Sequence, residues 1–245
     1  MRALANLKIL DFTTLVPGPF ATMMLADMGA EVLRIESPTR PDLLRNMPPF
    51  ADGQSTAHGT LNRNKRSIAL DLKNPEAVAI AKRLVEDYDI VIEQFRPGVM
   101  QRLGLGYEQL HKINPKLIYC SVTGYGQTGP YSDRAGFGGI GEAMGGWRYI
   151  VGEPDRPPSR MGISIGDTLC ATYGALGVLA ALHHREKTGE GQVVDSALYE
   201  AVLQVMEGLV PEYDRNGVIR ERSGSVLKGI APSNVYTCKD GSYMI

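Results

Sequence analysis

Short apolar runs alternate with stretches of helical periodicity along most of the chain, which is the pattern of an α/β fold. The apolar runs predict strands at residues 8–12, 31–36, 67–72, 89–95, 117–122 and 192–195. The periodic stretches predict helices at residues 20–28, 75–87, 107–113, 168–187 and 196–209, with a short helix around residue 102. Strands joined through helices pair in parallel with right-handed crossovers. We therefore predict a Rossmann-like, doubly wound and mostly parallel sheet.

The last part of the chain changes in character. From about residue 211 the sequence becomes polar and rich in glycine, so we predict a domain boundary there. Residues 1–210 would form the α/β domain, and residues 211–245 a linker and the beginning of a second, smaller domain. The chain ends on residues 240–245, which predict a hairpin turn entering a strand. We therefore expect the sequence to be part of a longer protein.

Composition narrows the possible partners. The 245 residues carry a net charge of −1, which gives no general attraction for nucleic acid or for a membrane surface. No apolar run is predicted to be long enough for a membrane span, and no signal peptide is predicted. The three cysteines are isolated, which indicates reduced thiols and a cytoplasmic setting. The four histidines have no metal-ligand spacing, so we predict no metal.

Residues 162–168 (GISIGDT) precede the long predicted helix and place Asp167 at its N-terminus as the expected N-cap. Unpaired backbone N–H groups and the helix dipole would favour an ionised carboxylate there. The same stretch matches the G-x-S-x-G pattern of serine hydrolases, with Ser164 as nucleophile. Residues 157–160 make a poor preceding strand, however. His183 would lie roughly 25 Å along the helix, out of reach of Ser164.

Three other stretches are candidates for ligand binding. The loop after the first predicted strand has residues 16–19 (VPGP) where a dinucleotide site requires G-x-G-x-x-G, so a nicotinamide site is not expected. Residues 37–60 contain four prolines and predict a covering loop. The basic residues 62–66 (NRNKR) are either a solvated loop or a phosphate clamp. The glycine-rich residues 123–131 form a plausible wall for a ligand.

Six motifs in order resemble the class III CoA-transferases, the family of formyl-CoA transferase and carnitine CoA-transferase. They are residues 10–13 (LDFT) with 18–19 (GP), 29–32 (GAEV), 62–67 (NRNKRS), 95–98 (FRPG), 121–126 (SVTGYG) and 187–192 (KTGEGQ). The resemblance covers essentially the whole chain. It implies an enzyme that takes acyl-CoA and carboxylic acid substrates. It further implies an interlocked homodimer in which the second domain of one subunit closes the site of the other.

The resemblance also implies roles for particular residues. Asp167 matches the family's catalytic aspartate, which would form first an acyl anhydride and then a CoA thioester. The positions that match CoA contacts are Val16, Pro17, Leu70, Lys73, Gln94, Phe95, Arg96, Arg102, Arg134 and Phe137. Three positions depart from the family: Ser37 where some members have Arg, Gln94 where Asn is common, and Phe137 where formyl-CoA transferase has Tyr.

The sequence also leaves functions besides transfer open. Related α-methylacyl-CoA racemases have a catalytic His where Phe137 stands, and racemisation needs a second base. Phe137 therefore argues for transfer over racemisation. The sequence is compatible with a CoA-binding module without turnover and, more weakly, with the serine hydrolase. Arg134 and Arg160 are candidates for binding a second carboxylate, or for ordinary surface pairing.

Overall fold

The structure, a computed structural model, describes residues 2–245 and contains a six-stranded parallel sheet. The strands are β1 Lys8–Phe12, β2 Glu31–Glu36, β3 Phe50–Ala51, β4 Gln54–Ser55, β5 Lys65–Ala69, β6 Ile90–Glu93, β7 Ile118–Thr123, β8 Val193–Ala197, β9 Tyr236–Thr237 and β10 Tyr243–Met244. The main sheet has the order β5-β2-β1-β6-β7-β8, and each neighbouring pair is parallel. The short pairs β3-β4 and β9-β10 are antiparallel. The predicted parallel α/β sheet is confirmed.

Helices cover both faces of this sheet. They are α1 Pro17–Asp27, α2 Thr56–Leu61, α3 Pro75–Glu86, α4 Val99–Arg102, α5 Tyr107–His111, α6 Gly138–Met144, α7 Trp147–Ile150, α8 Ile165–Thr188, α9 Leu198–Gln204 and α10 Leu209–Asn216. Successive strand residues point to opposite faces. Ile9 therefore joins the core under α1 and α8, whereas Leu10 joins the core under α3 and α5. This arrangement is the predicted doubly wound architecture.

The strand order creates a switch point between β1 and β6. From β1 the chain adds β2 and β5 on one side, and then returns to add β6, β7 and β8 on the other. The loops that leave β1 and β6 consequently turn away from each other. In open α/β sheets a crevice opens at this point, beyond the carboxyl ends of the strands, and ligands bind there.

The long helix α8 begins earlier than the sequence pattern predicts. Its N-cap is Ser164, so Asp167 lies in the first turn, and the expectation that Asp167 is the cap is wrong. The helix is also long and apolar enough to span a membrane by composition, with a mean hydropathy of 1.5 over 18 residues, which was not expected from the sequence pattern. Cys170 and Ala171 on this helix are fully buried against the sheet. Core packing accounts for its apolar composition.

Two other segments differ from their predictions. The predicted loop at 37–60 contains a 3-10 helix, Leu43–Asn46, as well as β3, β4 and the start of α2. The predicted helix at 196–209 begins later, because Ser196 and Ala197 pair with β7 and extend β8. The C-terminal hairpin is confirmed by the pairing of Tyr243 with Thr237. The domain boundary near residue 211 stays a prediction, and α10 runs across it.

Candidate active site

A cavity of about 550 Å³ lies at the carboxyl ends of β1, β6 and β7, at the switch point of the sheet. Its walls are the loops that follow these three strands, the segment that leads into α6, and the first turn of α8. Backbone polar groups at such an edge are not all used by the sheet or the helices, so they are available to a ligand. The topology and the cavity therefore identify the same place.

Eight of the eleven residues singled out from the sequence line this cavity. They are Val16, Pro17, Gln94, Phe95, Arg96, Arg134, Phe137 and Asp167. The other three lie outside it. Leu70 follows the edge strand β5 and packs against the core under α3, while Lys73 and Arg102 are exposed. The cavity also has a wall residue that the sequence did not single out, Arg148, because its neighbours carry no recognisable motif.

The Asp167 carboxylate lies against the beginning of α6. A Cβ atom built on Gly138, the first residue of that helix, would lie 2.4 Å from Asp167 Oδ2, well inside van der Waals contact. Only glycine therefore fits there without displacing the carboxylate. A second glycine, Gly166, allows α8 to approach α6 closely, since a Cβ there would lie 3.1 Å from the Gly138 carbonyl oxygen.

The electrostatic surroundings make Asp167 more basic than an ordinary aspartate. The pKa of its carboxyl is raised to about 6, mainly by burial and also by the negative charge of Glu142, while Arg160 and a hydrogen bond from Ser164 act in the opposite direction. At neutral pH the side chain is still mostly ionised. The carboxylate is therefore only partly solvated, which makes it a better nucleophile than the carboxylate of a surface aspartate.

Glu142 and Arg148 form an ion pair beside Asp167. Glu142 is 1% exposed, and its Oε2 accepts a hydrogen bond from Arg148 Nε at 2.7 Å. A buried carboxylate without a partner would be costly, so this arginine is fixed by the requirement to neutralise Glu142. The ion pair thus fixes the Arg148 guanidinium at the cavity wall.

Side chains also fix the two loops at the switch point. Gln94 Oε1 accepts the N–H of Gly18 at 3.1 Å and ties the loop after β6 to the start of α1. Asp42 Oδ1 accepts the N–H of Leu15 at 3.0 Å, and its other oxygen pairs with the buried Arg34. The cavity wall is thus held from both sides rather than left as two free loops.

Glu93 lies buried at the end of β6, directly before the cavity residues Gln94 and Phe95. Its Oε2 accepts the N–H of Phe95 at 2.8 Å. The pKa of Glu93 is raised to about 7, mainly by burial and also by the nearby Asp195, while hydrogen bonds from Ser121 and Phe95 oppose the shift. The side chain therefore supports the loop that forms one cavity wall.

The basic run at residues 62–66 is not part of this cavity. Each of its cations pairs with a carboxylate of the chain itself: Arg63 with Asp27, Lys65 with Asp11, and Arg66 with Glu31. Residue 65 is the first of β5, so the run begins at the amino end of the strands. The cavity lies at the carboxyl ends, so the structure does not support the phosphate-clamp alternative for this run.

The geometry also bears on the hydrolase and metal interpretations. Ser164 follows irregular chain, whereas a nucleophile elbow requires a strand at that point. Ser164 instead occupies the N-cap position of α8 without a side-chain capping bond, and its Oγ accepts a hydrogen bond from Arg160 Nη2 at 3.4 Å. Within residues 2–245 no three metal-ligating side chains come together.

Comparisons with known proteins find matches over nearly the whole chain. The sequence profile described as CoA-transferase family III matches residues 4–245. Succinyl-CoA–D-citramalate CoA-transferase of Chloroflexus aurantiacus is 51% identical over 245 residues, which are 100% of this chain and 61% of that protein. Succinyl-CoA:glutarate CoA-transferase of Mus musculus is 39% identical over 246 residues, which are 100% of this chain and 56% of that protein.

The fold is also shared with a solved structure. The crystal structure of a CAIB/BAIF family protein from Brucella suis superimposes with a TM-score of 0.92 at 36% identity, and covers 99% of this chain and 65% of that one. The chain therefore spans less than two thirds of the length of each of these relatives.

Proposed function

Because the chain belongs to CoA-transferase family III, we propose that it carries the CoA site and the nucleophile of an enzyme that moves CoA from an acyl-CoA to a carboxylic acid. The observation that carries the proposal is the half-buried Asp167 carboxylate in the cavity at the switch point, with a pKa raised to about 6. A carboxylate is a weak nucleophile, so it needs positioning, partial desolvation and a site that excludes water.

In the first half of the reaction, an oxygen of Asp167 attacks the thioester carbonyl carbon of the donor. The C–S bond breaks, and CoA leaves as a thiolate while an aspartyl-acyl anhydride forms. The thiolate then attacks the aspartyl carbonyl carbon and releases the donor acid as its carboxylate. Asp167 is left as the acyl part of a CoA thioester.

In the second half, the acceptor carboxylate attacks the aspartyl carbonyl carbon and expels the CoA thiolate, which gives a second anhydride. The thiolate attacks the acceptor's acyl carbon, forms the new thioester and returns Asp167 as a carboxylate. Each of these four attacks on a carbonyl carbon passes through a tetrahedral intermediate, whose oxyanion needs hydrogen-bond donors. The N–H groups of Gly138 and Gly139, at the beginning of α6 beside the Asp167 carboxylate, make no hydrogen bond within the described residues and are suited to this.

The CoA molecule would extend from Asp167 across the switch point of the sheet. Val16 and Pro17 after β1, and Phe95 and Arg96 after β6, would flank it. Arginine forks bind phosphate well, so the arginines at the cavity mouth would hold the anionic part of CoA. Leu70, Lys73 and Arg102 lie beyond the cavity and would meet only the far, adenosine end.

We further propose succinyl-CoA as donor and a short dicarboxylic acid as acceptor. The two curated relatives are named for transfer between succinyl-CoA and D-citramalate or glutarate. The enzyme would be an interlocked homodimer. The part of the relatives that this chain does not span would correspond to the second domain, which closes the site of the other subunit. The described cysteines are free thiols, two of them buried, which fits the reducing cytoplasm.

Racemisation is less well supported at this cavity. It needs one base to remove the α-proton and an acid on the other side to return it. Among the described residues that line the cavity, Asp167 is the one carboxylate, and Phe137 stands 67% exposed at the position of the second base. The lining therefore favours transfer.

The test is to trap the covalent intermediate. The protein is incubated with succinyl-CoA, digested, and the peptides are analysed by mass spectrometry for a CoA adduct. We expect the adduct on the peptide that contains Asp167, and we expect Asp167→Asn to abolish both adduct and transfer.

A matched control is Asp52→Asn. Asp52 is exposed at a turn with φ of 50°, which asparagine also adopts, so this variant should transfer CoA at the parent's rate. An adduct on Ser164 would support a hydrolase, and proton exchange at the α-carbon without transfer would support a racemase. Binding of CoA with neither reaction would support a binding module, and each of these results would contradict the proposed transfer.

A further inference from the structure

The cavity that holds Asp167 is strongly cationic. Four arginines line it: Arg96, Arg134, Arg148 and Arg160. Three of them are exposed side chains at its mouth, and Arg148 is the one that is partly buried, with 29% of its side chain exposed. Exposed arginines keep their rotamer freedom and can adapt to a large anion. An arginine whose guanidinium is fixed by the protein can instead select a small anion.

Arg148 is held from inside the fold. Its Nε donates to Oε2 of the buried Glu142 at 2.7 Å. Within residues 2–245, this is the one hydrogen bond that the Arg148 guanidinium makes with the protein. The two terminal nitrogens make no hydrogen bond with the described residues, and Arg148 lines the cavity, so they are available to a ligand there. A guanidinium fixed through Nε presents its end-on pair of N–H groups, which matches the two oxygens of one carboxylate.

The position of this fork relative to Asp167 is set by two adjacent glycines. A Cβ on Gly138 would lie 2.4 Å from Asp167 Oδ2, and a Cβ on Gly139 would lie 3.6 Å from Arg148 Nη2. Adjacent Cα atoms are about 3.8 Å apart. The carboxylate and the guanidinium therefore lie against consecutive residues at the beginning of α6, on the wall of the same cavity.

We propose that Arg148 binds the free carboxylate of a dicarboxylic acyl group whose other end reacts with Asp167. The inference rests on the function proposed above and names the residue that selects its substrate class. A monocarboxylic acyl group of the same length leaves the Arg148 fork without a partner in a partly buried site, which disfavours it. Arg134 and Arg160, the candidates for this role from the sequence, are both exposed. Arg134 stacks over the Tyr131 ring and Arg160 contacts Ser164 Oγ, but neither pairs with a buried carboxylate as Arg148 does.

The test compares two donors that differ only at the far end of the acyl chain, succinyl-CoA and butyryl-CoA. The ratio of their kcat/KM values is measured for the parent and for Arg148→Met. We expect the parent to prefer succinyl-CoA and the variant to lose roughly tenfold or more of that preference, as for a lost charge-assisted hydrogen bond. Using the ratio cancels any effect on Asp167 that both donors share.

Loss of Arg148 leaves the Glu142 charge unpaired, so a second variant removes both charges. Arg148→Met with Glu142→Gln should show the same loss of preference, and Arg148→Lys should recover part of it. Arg215→Met is the matched control, since that arginine is 84% exposed on α10 and should keep the parent's ratio.

An unchanged ratio in both the single and the double variant would overturn the role of Arg148. A parent protein with no preference between the donors would do the same, while a CoA adduct on Asp167 would leave the proposed transfer intact. Absence of an adduct with every thioester would instead remove the proposed function itself.

Discussion

Replacing Gly138 by alanine tests the geometry on which the proposed chemistry depends. The new Cβ would lie 2.4 Å from Asp167 Oδ2 and 2.8 Å from Asp167 Cγ. Ordinary carbon–oxygen contact needs about 3.5 Å, so the carboxylate must move by about 1 Å. Because it is the end of a side chain and not backbone, it can do so by rotation, at about 0.5–1.5 kcal/mol.

The expected effect is large on activity and small on stability. Misplacing a reacting group by about 1 Å can cost about 10²-fold in rate, or about 3 kcal/mol of barrier. Alanine at a helical position with unstrained φ stabilises by about 0.4–1 kcal/mol, which roughly offsets the rotation. The free energy of unfolding should therefore change by no more than about 1 kcal/mol.

The assay follows CoA transfer from succinyl-CoA and, in parallel, unfolding by urea. Gly59→Ala is the control, because Gly59 lies in the helix α2 with no atom within 4 Å of the new Cβ. The reasoning would be refuted if the Gly138→Ala protein transferred CoA at the parent's rate and had the parent's free energy of unfolding. It would mean that the carboxylate need not occupy the place against α6.

Three further predictions concern the site and its supports. Activity should fall as the pH drops through about 6, because Asp167 becomes protonated there and loses its nucleophilicity; Arg160→Met should move this limb of the pH–rate profile upward, since Arg160 lowers that pKa. Asp42→Asn should lower the free energy of unfolding in urea by about 3–5 kcal/mol, because it removes the carboxylate closest to the buried charge of Arg34 and leaves only Glu36, at 3.9 Å; a change below about 1 kcal/mol would contradict this. Arg66→Met should leave the KM for succinyl-CoA unchanged, because Arg66 pairs with a carboxylate away from the cavity, and a rise of tenfold would restore the phosphate clamp.

Local pattern predicted the elements with the strongest periodicity. The strands β1 and β2 have the predicted bounds, and α3 begins at the predicted proline. Short apolar runs that are separated by helices are typical of buried parallel strands, so they can be predicted from the local pattern. Bounds failed where a tertiary contact decided them, as at Ser196 and Ala197, which pairing with β7 keeps in a strand.

Charged residues were the least predictable part of the chain. The run at residues 62–66 has the composition of a phosphate site, yet its cations pair with Asp11, Asp27 and Glu31, which are distant in the chain. Conversely, Arg148 has no motif around it and is found at the cavity wall only because Glu142 holds it there. A side chain's partner depends on three-dimensional neighbours that spacing along the chain does not reveal.

The sequence by itself determined the α/β class, the order of the six main strands and of the helices with clear periodicity, and Asp167 as the residue of interest, because these depend on short-range periodicity and on motifs that keep their order. The tertiary structure decided which residues meet at the switch point, where Asp167 lies within its helix, and which arginine is held beside it. Those facts depend on burial and on long-range pairing, since the pKa and the partner of a charged group are set by what the fold packs around it.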